Sequence, residues 1–406
     1  MRLRRATAVG LVMAMASAAP AGARSGWRAR VDALIGARRI SVAVADDGAS
    51  LYRHRARRLR IPASNEKLLL SMALFDELPP ATTLATTAAA PAALGLLPPG
   101  GVLEGNLWIL GGGDPSLGGA RHDLGLPFAA TRLGALARRI ETAGITRIEG
   151  RIKGSTAPFG RDWFAPGWQW DFPGRYVAFP TALSYNGNVR RGRHVDDPEL
   201  RTARALTRKL EALGVPVAGA PGAGAPRKRL TPVAEVRSAE LSTLLRYTNR
   251  SSSNFFAEVL GKLLGRLATG ETGTIARGAA AIERWAGGAG VSVDAYDSSG
   301  LSYRNLVSAE GMADLLAHAE QQSWGDVLRR TLPGGGQGTL EDRLEGRVRL
   351  RAKTGTLDRV SSLSGWVWLT RSSTWGEFAI LSRGMTKEAA SEVEDRIVRI
   401  LYRGAR

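Results

Sequence analysis

The sequence predicts an α/β fold in which one discontinuous domain is interrupted by an inserted second one. Three observations point there. Two strand-like segments lie near the start and three near the end, and helix-spaced apolar residues dominate the stretch before the last three. Between positions 79 and 101 the composition shifts to Ala, Pro and Gly, which marks a boundary or loop. No internal repeat runs through the 406 residues, and 44% hydrophobic content suffices for one large core or two smaller ones. The expected bounds are 24–85 with 236–406 for the discontinuous domain and 86–235 for the insert.

Element by element, RRISVAVAD at 38–46 alternates apolar and polar and reads as a strand; a turn over 46–50 leads to a second near Leu51. Residues 64–77 form a helix. A strand is expected over 103–110, closed by GGGDPSL. A helix over 131–143 carries Leu133, Leu136 and Ile140 at helical spacing, with Gly144 behind it. Residues 145–152 read as a strand, 153–188 as an aromatic, turn-rich segment, and 198–213 as a helix. GAPGAGAP at 219–226 reads as a low-complexity loop. Helices follow over 239–247, 254–267, 275–286 and 309–321. Strands over 353–357, 362–369 and 377–383 and a helix over 387–401 close the chain.

The first residues, MRLRRATAVGLVMAMASAAPAGA, have the form of a secretory signal peptide: a basic start, an apolar stretch too short to span a bilayer, and A-x-A sites ending at Ala18 and Ala23. Residues 1–23 are therefore set apart from the fold, and an exported protein, periplasmic or extracellular and cell-wall associated, is expected. No later run of about twenty apolar residues follows, so no stable membrane anchor is expected after cleavage.

The chain has no cysteine, which excludes disulfides, a thiol nucleophile and a Cys-based zinc site. Net charge is +19, and the three arginines of residues 1–23 leave +16. No nucleic-acid recognition motif accompanies the charge, so no nucleic-acid partner is expected. Attraction to an anionic cell envelope and a plain solvated surface both fit it. His54, His122, His194 and His318 have no metal-ligand spacing, and neither GGGD nor GETGT ends as a phosphate loop does. No cofactor or metal is expected.

The chemistry gathers at PASNEKLLLS, 62–71. Ser64 and Lys67 stand three apart, which puts a hydroxyl and an amine on one helix face. Alone, the pair also fits an N-cap serine beside a solvated lysine. A serine hydroxyl attacks only when a base takes its proton, and lysine serves only when its amine is neutral. Burial and a neighbouring cation both favour the neutral form. RAKTGTL, 351–357, offers the cation: Lys353 for charge, Thr354 for a hydrogen bond, and Gly355 to let an extended substrate approach an edge strand. Between these lie two S-x-N candidates. Ser252 and Asn254 in RSSSNFFAEVL are preferred, because a polar knot precedes an apolar helix there; Ser184 and Asn186 lie among turn residues.

S-x-x-K, S-x-N and K-T-G occur in the order used by penicillin-recognising Ser-Lys enzymes. With them PASNEKLLL, GNLWILGGGDPSL, APGWQWD, SSSNFFAEVL, DSSGLSYRNLVS and GQGTLEDR resemble the blocks of the class C low-molecular-mass penicillin-binding proteins, the D-alanyl-D-alanine carboxypeptidase/endopeptidases, over nearly the whole chain. The resemblance implies a β-lactamase/transpeptidase-like domain, an antiparallel sheet flanked by helices, with an inserted α+β domain. It implies Ser64 as the acylated nucleophile and Lys67 as base. Ser252 and Asn254 would relay protons and hold the peptide, Lys353 and Thr354 would bind the terminal carboxylate, and the N–H groups of Ser64 and Thr356 would form the oxyanion hole. It implies peptidoglycan stem peptides as substrate and β-lactams as covalent inhibitors.

Three departures stand out. Only a few residues separate NGNV, 186–189, from DDPEL, where the family often carries a further insertion. Ser155 stands where an acid that grips the peptide's ammonium is common. Ser253 fills the middle of S-x-N. Two rivals stay open: a class C-like β-lactamase or esterase, for which Tyr247-Thr248-Asn249 matches the second element, and a silent peptidoglycan-binding or β-lactam-sensing protein.

Overall fold

The computed structural model describes residues 26–91, 99–119, 126–346 and 348–405. The signal-peptide reading and His122 lie outside the described residues.

The main elements are α1 (Gly26–Ile35), β1 (Ile40–Asp46), β2 (Ala49–His54), α2 (Glu66–Glu77), β3 (Thr83–Pro91), β4 (Leu107–Gly111), α3 (Leu133–Thr142), β5 (Ile152–Ser155), α4 (Pro198–Glu211), β6 (Gly222–Gly224), β7 (Leu230–Glu240), α5 (Leu241–Ser251), α6 (Asn254–Thr269), α7 (Ile275–Gly288), α8 (Ala309–Glu320), α9 (Gly325–Thr331), β8 (Leu350–Leu357), β9 (Val360–Leu369), β10 (Thr374–Arg383) and α10 (Lys387–Gly404). Shorter pieces connect them.

The first and last strands meet in one antiparallel five-stranded sheet, ordered β8-β9-β10-β1-β2. Every residue of β1 is buried, as expected of a strand covered on both faces. One face packs on α1 and α10 through Val31, Ile397 and Leu401; the other lies against the central helices. At their middle is α2, where Leu68, Leu69 and Leu70 in succession are wholly buried, the mark of a helix enclosed on all sides. Burying each such leucine contributes about 2 kcal/mol.

A second five-stranded sheet, β6-β5-β4-β3-β7, is built from the middle of the chain and packs on α3 and α4 around Ile109, Leu136, Ile152 and Leu206. Its long strands β3 and β7 pair antiparallel, and expected boundary positions 85 and 235 fall inside that pairing.

Several expectations need correction. The Ala-rich 79–101 stretch contains β3, because small side chains let the strand lie between β4 and β7. The glycine-rich loop contains β6, whose backbone pairs in parallel with β5 without needing side chains. The strand expected over 103–110 breaks at Glu104–Asn106, and the one over 145–152 breaks at Glu149–Arg151, each leaving a two-residue strand behind. α1, β7 and α9 carried no strong pattern and were not expected. Residues 189–194 form a two-stranded hairpin between NGNV and α4.

Candidate active site

Ser64 sits in a 3-10 turn, Ala63–Asn65, just ahead of α2 rather than within it. Ala63 takes φ +47°, a strained conformation for a residue with a side chain. The turn is pinned from β9: Ser362 Oγ donates to the Pro62 carbonyl at 2.6 Å, and Asn65 Nδ2 donates to Ser364 Oγ at 2.7 Å. Two glycines let the backbone close around it. A Cβ on Gly355 would meet Ser362 Oγ, the Pro62 carbonyl at 2.7 Å and the Ser64 nitrogen at 2.8 Å. A Cβ on Gly300, at φ +83°, would run into the Ala63 carbonyl. Gly355 was expected to make room for substrate; it makes room for the serine turn.

The Lys67 amine is buried and donates to Ser64 Oγ at 3.0 Å, Asn254 Oδ1 at 2.8 Å and the Ser299 carbonyl. Lys353, also buried, donates to Ser252 Oγ at 2.9 Å and to the Thr354 carbonyl at 2.7 Å. Ser252 ends α5 with φ +56° and Asn254 begins α6, so the polar knot turns both side chains toward the two lysines. Asn254 Nδ2 reaches the Tyr176 carbonyl at 3.1 Å, and Ser253 caps α6 by accepting from the Phe256 N–H. Thr354 Oγ1 donates to Thr339 Oγ1 at 2.7 Å.

Ser64, Ser252 and Thr356 line two adjoining cavities. One, of about 500 Å³, is also lined by Thr339, Glu341 and Thr354. The other, of about 370 Å³, is lined by Gln169, Tyr176, Asn254 and Tyr303. Of the eight expected residues, Ser64, Ser252, Asn254, Thr354 and Thr356 line this cleft, and Lys67, Lys353 and Gly355 stand directly behind it against Ser64 and Ser252. Ser155 lies elsewhere: it is buried at the end of β5, with its hydroxyl bonded to the Ala157 backbone, and lines neither cavity. Ser184 bonds the Thr181 carbonyl, and the Asn186 side chain accepts from the Gly119 N–H; both are structural. Tyr247 packs on Phe128 and Phe256, while Asn249 bonds Ser71 and Thr331. Asn249 of the rival second element thus points into the core, and half-buried Tyr247 lines neither of the Ser64 cavities.

Burial pushes the Lys67 ammonium down to about 8, while the carboxyl groups of Asp297, Glu258 and Glu66 pull the other way. Burial, then the Lys67 charge, push Lys353 well below the ordinary lysine range. At pH 7 a lysine with a pKa near 8 is neutral about a tenth of the time, against less than a thousandth for a free one. The hydroxyl–amine pair can therefore generate a nucleophile.

Motif reading missed a buried carboxyl layer behind Lys67. Asp297 accepts from the N–H groups of Gly300 (2.8 Å) and Ser302 (2.7 Å), from Asn305 Nδ2 (2.7 Å) and from Trp168 Nε1 (2.6 Å). Glu258 Oε1 accepts from the N–H groups of Ser298 and Ser299. Together they shape the 297–302 loop and aim the Ser299 carbonyl at Lys67. Burial, then Asp297, raise Glu258 to about 8; burial, then Asp297 and Glu258, raise Glu66 well above the usual carboxyl range. The turn signal DSSGL was readable, but not which acid would face it.

A serine held by a buried, deprotonatable lysine, with a second buried lysine on the adjacent sheet edge, defines a serine peptidase hydrolase of the Ser-Lys class. The family model for the D-Ala-D-Ala carboxypeptidase 3 (S13) family matches residues 31–191 and 186–403, and the chain belongs to that family. It is 35% identical over 222 residues to the D-alanyl-D-alanine carboxypeptidase of Actinomadura sp. (strain R39), across 50% of this chain and 40% of that one. It is 29% identical over 383 residues to carboxypeptidase DacB of Mycolicibacterium smegmatis, across 89% and 80%. The fold is shared with penicillin binding protein 4 (dacB) from Haemophilus influenzae at a TM-score of 0.76 and 19% identity, covering 92% of this chain and 99% of that one.

Proposed function

We propose that this chain is a serine D,D-peptidase that cleaves the D-Ala-D-Ala bond of peptidoglycan stem peptides through an acyl-enzyme on Ser64. The observation that carries the reading is the Lys67 amine, 3.0 Å from Ser64 Oγ and easily deprotonated. Neutral Lys67 takes the Ser64 proton as the oxygen attacks the carbonyl carbon of the penultimate D-alanine. The charge that develops on the carbonyl oxygen is received by the N–H groups of Ser64 and Thr356, an arrangement commonly worth about 3 kcal/mol. Lys353 and Thr354 bind the terminal carboxylate, and that carboxylate restores the charge that burial disfavours on Lys353. The proton returns to the leaving amine through Lys67 and the Ser252 hydroxyl, and D-alanine departs. Water then enters, loses its proton to Lys67 as it attacks the ester carbon, and the bond to Ser64 Oγ breaks; Lys67 returns that proton to Ser64 Oγ, and the shortened peptide departs.

The cleft is open on both sides of Ser64, which also suits a leaving group larger than D-alanine, as in a cross-link. A β-lactam acylates the same oxygen, and its opened ring stays attached and blocks water. We place the domain hinge at 79–82 and 240–242, supported by the bonds from the Leu241 N–H to Thr82 and the Ser242 N–H to Pro80. The basic, apolar N-terminus supports export to the cell envelope, and no helix of the described residues is long and apolar enough to cross a membrane.

The test is the intact mass after incubation with benzylpenicillin, with Ser64→Ala alongside. A stable adduct on the wild type alone, with D-alanine release from a pentapeptide, is the expected result. No adduct with the penicillin destroyed marks a β-lactamase; no adduct with the penicillin intact marks a silent site.

A further inference from the structure

Beside the cleft, like charges crowd together in a way that disfavours the fold. Arg246 and Arg250 lie on α5, Arg329 and Arg330 on α9, and Arg349 and Arg351 at the start of β8. Asp326 and Glu320 neutralise Arg329 and Arg330. Among the described residues, no carboxylate forms an ion pair with Arg246, Arg250, Arg349 or Arg351. Arg250 Nε is buried without an acceptor. Burial lowers both Arg250 and Arg351, and the neighbouring arginines lower each further.

The guanidinium groups are held, not loose. Arg349 lies 4.1 Å over the Trp368 ring and 4.9 Å from Trp375, and Arg329 stacks on Trp375 at 5.1 Å. The two tryptophans are cross-strand partners on β9 and β10, so the ladder is part of the sheet. The rings hold the Arg349 guanidinium beside the cavity, while Arg329 is held by Trp375 together with Glu320 and Asp326.

The band is continuous with the cleft. Arg329, Arg330, Arg349 and Arg351 line a cavity of about 690 Å³ that also includes Gln337. Arg246 and Arg250 line another, of about 390 Å³, that includes Gly338. Gly338 and Thr339 line the Ser64 cavity as well. Arg351 and Lys353 sit on the same face of β8, roughly 6.6 Å apart along the strand.

We infer that this arginine band is a docking track for the carboxylates of polymeric peptidoglycan, holding neighbouring stem peptides while one enters the Ser64 cleft. The inference rests on the peptidase reading. Charge complementarity and continuity with the cleft carry it: a cross-linked substrate presents several free carboxylates at once, and the cleft by itself binds one.

The experiment measures binding of the full chain to purified sacculi stripped of phosphate polymers, from low to physiological salt. Hydrolysis of a soluble pentapeptide is measured in parallel. Wild type is expected to bind, and salt to release it. Arg246→Gln with Arg349→Gln is expected to weaken sacculus binding about fivefold while leaving pentapeptide hydrolysis unchanged. Arg246→Lys with Arg349→Lys keeps most of the binding. Undiminished binding by the Gln pair overturns the inference. So does binding seen only on sacculi that still carry their phosphate polymer. Failure of the wild type to cut the pentapeptide defeats the peptidase reading and leaves the binding result readable by itself.

Discussion

The pockets around Lys67 and Lys262 enclose the same group in opposite ways. Both amines are fully buried, and both belong to the helical layer behind the first sheet. Lys262 faces a carboxylate, Asp162, at 2.9 Å, and the carbonyls of Gly160 and Asp162 complete its shell. Lys67 contacts only neutral oxygens, a hydroxyl, an amide and a carbonyl, and the acids near it stand one layer back. A lysine paired with a carboxylate holds structure together; a lysine given only neutral partners can lose its proton at little cost. Burial alone therefore does not mark a catalytic lysine. Neutral partners that include the nucleophile's hydroxyl do.

The largest expected break in that comparison is at the lysines themselves. Lys67→Met should lower the rate of penicillin acylation by at least ~10³-fold, read by mass or stopped-flow fluorescence, with little loss of melting temperature. Lys262→Met should do the reverse: acylation persists, and stability falls by roughly 2–3 kcal/mol because Asp162 is left without its partner. Equal loss of acylation in both would erase the distinction.

Gly355→Ala comes next. Its Cβ collides with backbone of the Ser64 turn, so the nucleophile shifts, and kcat/KM should fall about 100-fold while the fold persists by circular dichroism.

The pH profile sharpens the same point. The free enzyme's base works only when neutral, so kcat/KM should rise about tenfold per pH unit below the Lys67 value of about 8 and flatten above it. A profile flat from pH 6 to pH 9 would remove Lys67 as the base.

The smallest effect is at Glu258→Gln. Glu258 is raised to about 8 from an ordinary 4.5, so its contribution to stability is present at low pH and lost as pH climbs between those values. Glutamine keeps the acceptor for Ser298 and Ser299 and does not ionise. Its stability relative to wild type should therefore improve by roughly 2 kcal/mol from pH 5 to about pH 6.5, measured by thermal unfolding of the pair.

Much of this was legible in the residues. Seven of the eight site residues came from three short motifs in order and Thr356 from the family resemblance, and most helices from apolar spacing. The three C-terminal strands read correctly because Val, Leu and Trp alternate there or run through a buried centre. What failed to read had a common cause. β3 is mostly Ala and Thr and β6 is Gly-Ala-Gly, so little in their composition distinguishes a paired backbone from a loop; only a partner strand decides it. Ser155 fell at a position with a known counterpart, yet its hydroxyl closes a turn at Ala157 away from the cleft.

By itself the sequence determined the chemical inventory: a serine, two lysines, an amide and a glycine-bearing strand, with no thiol to compete. The fold decided which of three buried lysines stands against the serine hydroxyl and which glycine makes room for the nucleophile. It decided too which acids stand behind the base. Those outcomes depend on burial and on hydrogen bonds between residues up to 300 positions apart, such as the 2.6 Å one from Ser362 to Pro62. A linear pattern carries no such distances. Packing creates them, and with them the low-dielectric surroundings in which a lysine can act as a base.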